Sequence, residues 1–489
     1  NVGEAMRESA SDNAEEASPV ASIHYFNNGN WSPINTLDAK WAHYYEGIRE
    51  ANRFINNVDT TVIEDRKYND DYGEMREQIR TYKDEARFLR AYFYFELMKR
   101  YGSVPLITEI LSAEQANTVE KDSQDAIIQF IVDECNAIIP DLREGYADVV
   151  EQETGRATKG AARALKARAL LYEASPLFNP EGETNKWEDA AEAAAEIINN
   201  GNYALESNYA NVVNKFPSDE LILGRRYAPS NDFERANYPT GYQGRPGTCP
   251  SQNLVNTYEM TNGMDIDESA QYDPENPYQN RDPRLAATVL YNGSTWKGET
   301  VETYQGGKDG PPGELVTPTG YYLKKYVEQL DIVEPNTTTT EHLWVFFRYG
   351  EVLLNYSEAM NEAYGPTADP EGYGMTALEA VNMIRSRAGI ADLPAGISQS
   401  EFREEIREER RVELAFEGHR FWDIRRWKIG DQTTDLRGMS ITMNPDGSFD
   451  YQKVTVEERQ WSDKYYLYPI PQDEIFINGN LAQNPGWGE

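Results

Sequence analysis

The chain has 489 residues, 39% of them hydrophobic and 12% aromatic, enough apolar material for a substantial core. Its 47 basic and 82 acidic residues leave a formal charge of −35, which excludes nucleic acid, whose phosphates must be neutralised by Lys and Arg. The same balance disfavours polyanionic ligands, and solubility is the simplest account of the excess acid.

Taken in order, the first twenty residues are polar and acidic and read as a loose arm with no signal-peptide hydrophobic segment. A loop rich in aromatics and turn formers follows from His24 to Trp31, after which Ser32 offers an N-cap and Pro33 a first helical position. Trp41, Tyr44, Tyr45, Ile48 and Ile55 then trace a helical stripe. The next helix is predicted from about Ile79 to Tyr101, with Phe88, Ala91, Tyr92, Phe95 and Met98 on one face. Gly102 and Pro105 stop it. Further helices are predicted at Asp122 to Ile139, Thr158 to Ala174 and Trp187 to Asn199. The middle one of these is Ala-rich on its inner face, which permits close helix approach. Paired helices of this length point to tetratricopeptide-like packing, although no clean 34-residue period is present.

From about Gly201 to Thr340 the chain is rich in Gly, Pro, Asn and Tyr, and reads as loop with short strands and helical turns. Helical pattern resumes at about Phe347 to Ala363 and at Ala377 to Ala388, where Gly389 closes it. The stretch Glu401 to Gly430 reads as a helix, a hinge at Gly418 and a short second helix. Phe402, Ile406, Val412, Ala415 and Phe416 form its apolar stripe. Glu404 with Arg407, Glu408 with Arg411, and Arg410 with Glu413 stand at i,i+3. Each such exposed pair is worth roughly 0.2–0.5 kcal/mol, so these charges support the helix without deciding the fold.

Enzyme motifs are scarce: there is no phosphate loop with its Lys, no H-E-x-x-H and no G-x-S-x-G elbow. The four histidines, His24, His43, His342 and His419, are scattered without metal-ligand spacing. Asn69-Asp70-Asp71 and Asp265-Asp267-Glu268 cluster oxygens but lack EF-hand spacing, and read as solvated turns. Cys135 and Cys249 are too few for a zinc cluster, and the sequence leaves open whether they pair. No run of about 18 apolar residues is present to span a membrane as a helix.

The constellation that stands out is aromatic. A pyranose offers apolar C–H faces and a rim of hydroxyls, so its site needs flat rings beside Asn, Asp or Arg. Trp31 with Asn28 and Asn30 is one candidate. A second is the Pro- and Gly-punctuated loop carrying Tyr227, Asp232, Phe233, Tyr238, Tyr242 and Arg245, and a third is Trp296. The many acids also supply carboxylate pairs, and the separation that glycoside hydrolysis needs is not written in sequence. A helix-rich glycoside hydrolase therefore stays open as an alternative, as does a protein-interaction scaffold without sugar binding.

The run Ile406, Glu409, Arg410, Arg411, Glu413, Leu414, Phe416, Glu417, Gly418, Arg420, Trp422, Asp423, Arg426, Trp427 resembles the C-terminal hallmark of the SusD/RagB family. Those are surface glycan-binding lipoproteins of Bacteroidetes. Five other segments resemble the family in the same order: Trp41 to Ile55, Asp84 to Ile107, Pro250 to Ile266, Asn276 to Leu285, and Tyr465 to Trp487. The resemblance implies a mainly α, SusD-like fold, a single domain over 1–489. Within it, 1–200 would be arm and helical scaffold, 201–340 a loop-rich lobe with a shallow sugar site, 341–430 scaffold continued, and 431–489 a C-terminal region. It also implies capture without cleavage, no cofactor, and an oligo- or polysaccharide ligand, a neutral glucan-like one in view of the charge. The captured glycan would pass to a SusC-like TonB-dependent outer-membrane transporter against which the helical face packs. A signal peptide and a lipid-bearing cysteine would precede Asn1, placing the protein at the cell surface on a lipid anchor. Family members carry their glycan aromatics on an early loop and on middle-region loops, which is why Trp31 and the Tyr227–Arg245 loop lead the list.

Overall fold

The computed structural model describes residues 5–146, 155–313, 315–331 and 337–488. They form two compact units, one of residues 30–200 and 463–489, the other of residues 1–29 and 201–462. The chain passes from the first unit to the second after residue 200. The 341–430 helices, however, group with the loop-rich stretch rather than with the N-terminal helices.

The first unit is a succession of helices, Trp41–Asn57, Tyr72–Tyr101, Gln124–Ile138, Lys159–Ala174 and Thr184–Asn200, each packed against the next. Local chemistry fixes their ends. Ser123 and Thr158 cap two N-termini by accepting the N–H groups of Ala126 (3.2 Å) and Ala161 (3.1 Å). Gly102 ends the long helix at φ 68°, a conformation open to glycine. Close packing of the last two helices follows from alanine: Ala161, Ala164, Ala167 and Ala169 are buried on one, and Ala190, Ala191 and Ala194 on the other. No helix begins at Ser32 and Pro33. Ser32 Oγ instead accepts the Asn35 N–H (3.1 Å) in a local turn, and the helix starts at Trp41.

The second unit mixes helices with short antiparallel strand pairs. The strand Leu221–Arg226 pairs with Leu343–Arg348, which runs straight into the helix Tyr349–Tyr364, so Phe347 belongs to strand rather than helix. The helices Ala377–Ala388, Gln399–Glu413 and Arg420–Arg426 follow. Thr376 and Ser398 begin two of them with capping boxes, and Gly418 makes the hinge at φ 81°. A hairpin, Asp435–Met443 with Phe449–Glu458, closes the unit.

The N-terminal arm is not loose. Asn1 to Glu4 lie outside the described residues, but Glu8, Ser9, Asp12, Asn13 and Glu15 are buried in the second unit. Ala14–Glu16 pairs as a strand with Thr248–Pro250. Asp12 is held by Arg411 (3.0 Å) and Arg420 (2.8 Å), and Glu15 by Arg459 (2.7 Å). The sequence looks solvated because its acids are counted without the distant arginines that cover them.

Glu8 behaves differently from Asp12 and Glu15. Burial pushes its carboxyl up to about 7, against hydrogen bonds from Asn13 and Ser11. The folded protein thus keeps this proton where the unfolded chain has lost it. Glu8 contributes fully at low pH, and its contribution falls as pH rises from about 4.5 to about 7. Glu8→Gln is therefore expected to stabilise the protein at pH 8, by on the order of 3 kcal/mol at most, and to leave it unchanged at pH 4. Urea midpoints at the two pH values measure this, and an equal effect at both would remove Glu8 as the source.

The i,i+3 pairs predicted on Gln399–Glu413 form only in part. Arg407 does meet Glu404 (2.9 Å), at an exposed site. Arg411 turns instead to Asp12, and Arg410 to Asp423 (2.9 Å). Glu413 is buried against Arg348 (2.7 Å), Arg387 (2.5 Å) and Arg284 (3.0 Å). Burial alone would raise the Glu413 carboxyl, but Arg387, Arg348 and Arg284 outweigh it and hold it well below the ordinary carboxylate range. These charges are interior structure rather than helix decoration. Both cysteines are buried and free.

Candidate functional site

The structure removes most of the predicted platform from solvent. Trp31 is 3% exposed, with Tyr465 stacked at 5.4 Å and the edges of Tyr468 and Trp487 at 5.2 and 4.8 Å. Both it and Asn30 belong to the helical unit, whereas Asn28 and the remaining candidates belong to the other. Phe233, Tyr238, Tyr242 and Trp296 are brought together, but inside one hydrophobic cluster. Tyr238 is fully buried, its ring against Trp296 (5.8 Å) and its hydroxyl accepting from the Leu330 N–H (2.7 Å). Phe233 lies between Tyr326 and His342, and Lys308 sits over the Tyr242 ring at 4.6 Å. A ring covered in this way has no face for a sugar, so these five aromatics are corrected to core. Asn28, Asn30, Asp232 and Arg245 stay exposed. Asp232 faces Arg235 (3.6 Å) and Ser230 (2.9 Å), and Tyr227 is half-buried beneath Arg225 (4.8 Å).

A different set of rings meets the requirement. Tyr304, Phe449, Tyr451, Tyr278 and Tyr291 are all half-buried and lie in sequence along the edge of the second unit's core. Successive centroids are 5.3, 6.3, 5.8 and 4.2 Å apart. Only the Tyr278–Tyr291 pair is stacked. The other steps are tilted or edge-on, so the strip is faceted rather than flat.

Local structure explains how each ring is held. The hairpin register sets Tyr451 opposite Ile441 and Phe449 opposite Met443, and residues directly opposite share a face. Ile441 is buried, so this face is anchored in the core while Phe449 and Tyr451 emerge at its margin. The turn Asn444-Pro445-Asp446-Gly447-Ser448 fixes that register, with Gly447 at φ 86° and Asn444 N–H donating to Ser448 O (2.8 Å). The loop bearing Tyr278 is pinned from below by Arg281, whose guanidinium donates to the carbonyls of Pro277 (2.9 Å) and Tyr258 (3.0 Å). The Tyr304 loop folds tightly on itself. A Cβ at Gly310 would stand 2.1 Å from the Tyr304 carbonyl oxygen, so only glycine fits there.

Burial raises the phenol pKa of Tyr278, Tyr291, Tyr304 and Tyr451. Each keeps its proton through the physiological range and can both donate and accept. Tyr278 donates to the Tyr321 hydroxyl (3.3 Å), and Tyr304 to Glu302 (3.4 Å). Exposed Gln305 adds an amide beside Tyr304. The strip therefore pairs apolar faces with hydroxyl, carboxylate and amide groups. Among the described residues, no group of His, Cys, Asp or Glu is placed to hold a metal ion, and no helix is long and apolar enough to cross a membrane. Sequence reasoning passed over Phe449 and Tyr451, although the Pro-Asp-Gly turn between alternating apolar residues was a legible hairpin signal.

Comparison with known proteins places this architecture. Residues 195–487 match the family model described as SusD family, and residues 2–171 one described as starch-binding associating with outer membrane. The chain belongs to the SusD family. A SusD-like protein from Bacteroides fragilis superposes with a TM-score of 0.81 at 30% identity, covering 99% of this chain and 94% of that one. A SusD-like carbohydrate binding protein from the same species gives 0.80 at 28%, over 98% and 92%. SusD-like protein P2 of Formosa agariphila is 25% identical over 464 residues, 92% of this chain and 81% of that relative. The mainly α fold is thus that of the SusD family. Within the family-like segments, Arg281, Arg284, Arg410, Glu413 and Arg426 are buried, and their contacts are those of the scaffold rather than of a ligand site.

Proposed function

We propose that this SusD-family protein is a non-catalytic glycan-binding protein, and that the strip Tyr304–Phe449–Tyr451–Tyr278–Tyr291 is its platform. The observation that carries the reading is this run of half-buried rings with protonated phenols on rigidly held loops. Rings already fixed by packing lose little conformational entropy on binding, which suits a surface that holds weakly and releases. The carbohydrate-binding relative in Bacteroides fragilis supports the ligand class. The charge of −35 favours a neutral, glucan-like polymer over an anionic one. We place the protein on the outer membrane by a lipid anchor and pair it with a SusC-like TonB-dependent transporter that receives the glycan. The family description of outer-membrane association supports that location.

Calorimetric titration with neutral and anionic oligosaccharides, followed by product sizing, tests the reading. Saturable heat with neutral glucans and intact sugar afterwards is the expected result. Shortened sugar would replace capture by hydrolysis, and heat with anionic glycans alone would overturn the ligand class.

A further inference from the structure

A well-formed cavity lies apart from the aromatic strip, within the helical unit. It is a groove of about 370 Å³ between the helix Trp41–Asn57, the loop from Pro105 to Val119 and the short helix Gln472–Ile477. That volume is in the range of ligand pockets, about 300–1,000 Å³. Its walls are mainly apolar, with Trp41, Ile48, Ile107, Leu111, Val119 and Leu481 among them.

The walls are also preformed. Tyr45 donates to the Pro105 carbonyl (2.9 Å) and Asn52 to that of Ile107 (2.9 Å). On the far side Asn478 donates to Val119 O (2.8 Å) and Asn480 to Thr118 O (2.7 Å). These bonds satisfy the carbonyls of Pro105, Ile107, Thr118 and Val119 and fix the loop that forms one wall. Ile477, which lines the groove, is a large apolar residue at 59% exposure.

The rim decides the occupant. Glu109, Glu474 and Arg49 line the groove, and none makes an ion pair among the described residues. Beyond the lining, the elements forming it carry exposed Glu46, Glu50, Glu114 and Asp473 against a single exposed cation, Arg53, which pairs with Glu50 (4.0 Å). An apolar cleft under a mostly acidic rim complements an apolar segment that carries basic residues. A second copy of this chain is disfavoured, since two acidic rims would face one another across the contact. We infer that this groove is a peptide-docking site, distinct from the glycan platform, that takes a short apolar segment flanked by Lys or Arg from a partner protein.

Fluorescence anisotropy with a labelled peptide of two leucines and a phenylalanine between lysines is the test. Saturable binding is expected, at least tenfold tighter than for the same peptide with glutamates in place of lysines. Ala116→Trp, which fills the groove from an exposed wall position, is expected to weaken binding at least tenfold. Glu109→Lys with Glu474→Lys is expected to reverse the charge preference while leaving glycan titration unchanged. Absence of saturation, equal binding of the glutamate peptide, or indifference to Ala116→Trp would overturn the proposal. Competition by free oligosaccharide would overturn it in favour of a second sugar site, and a dimer abolished by Ala116→Trp in favour of a self-contact.

Discussion

Replacing Arg348 by methionine is expected to lower the stability of the protein by about 3–5 kcal/mol, the usual cost of breaking a buried ion pair from one side. Arg348 is 1% exposed and bonds Glu220 (2.5 Å), Glu413 (2.7 Å) and Glu417 (2.7 Å) at once. Removing it takes the shared cation from three buried carboxylates, and Arg387, Arg284 and Lys325 compensate only in part. Lysine is not a rescue, because one ammonium cannot reproduce the planar fork that spans all three. Arg407→Ala is the contrast: its pair with Glu404 is exposed and is expected to change stability by less than about 1 kcal/mol. Urea denaturation followed by circular dichroism measures both. A loss below about 1 kcal/mol for Arg348→Met would mean that the cluster is not what holds strand, loop and helix together. Neutralising Glu413 and Glu417 to glutamine in the Arg348→Met background is expected to recover much of the loss, since an uncharged interior carries no desolvation debt.

Glu417 of this cluster, with Glu358 and Asp423 of the neighbouring Arg410–Arg426 network, shapes the response to acid. Burial would raise Glu417, Glu358 and Asp423, but their arginine neighbours, with Lys325 beside Glu417, hold each below its ordinary value. Groups of this kind stabilise the fold above their unfolded pKa, and the contribution is lost as pH falls through the folded one. These carboxylates therefore promote unfolding as pH falls, opposite in sign to the effect of Glu8.

The sequence carried the helices well for a physical reason. Apolar spacing, caps and glycine stops act within a few residues, so Trp41–Asn57, Lys159–Ala174 and Ala377–Ala388 appear close to where pattern alone puts them. Exposure is not local. Trp31 sits in a polar, glycine-punctuated loop that looks solvated, yet Tyr465, Tyr468 and Trp487 arrive from the far end of the chain to enclose it. The charges of Gln399–Glu413 failed the same way: i,i+3 geometry was available, but burial gave Arg410, Arg411 and Glu413 stronger distant partners. Tyr278 was legible only as part of a family-like segment. Its role as a surface ring depends on the hairpin that brings Tyr451 within 5.8 Å.

Tyr278→Ala combined with Tyr451→Ala is expected to weaken glycan binding by at least tenfold, about 1.4 kcal/mol or more, because aromatic anchors carry a disproportionate share of recognition. Tyr278→Phe and Tyr451→Phe keep the faces and remove only the hydroxyls, so they are expected to cost less, roughly 0.5–1.5 kcal/mol together for the hydrogen bonds lost. Trp31→Ala should behave in the opposite way. It opens a cavity among three aromatic neighbours, costing stability by about 3–5 kcal/mol, while the folded fraction binds glycan with unchanged affinity. Titration calorimetry and thermal unfolding on the same preparations separate the two effects. If Trp31→Ala abolished binding in folded protein and the Tyr278/Tyr451 pair did not, the platform would belong to the early loop after all. The strip would then be a core margin whose rings meet only each other.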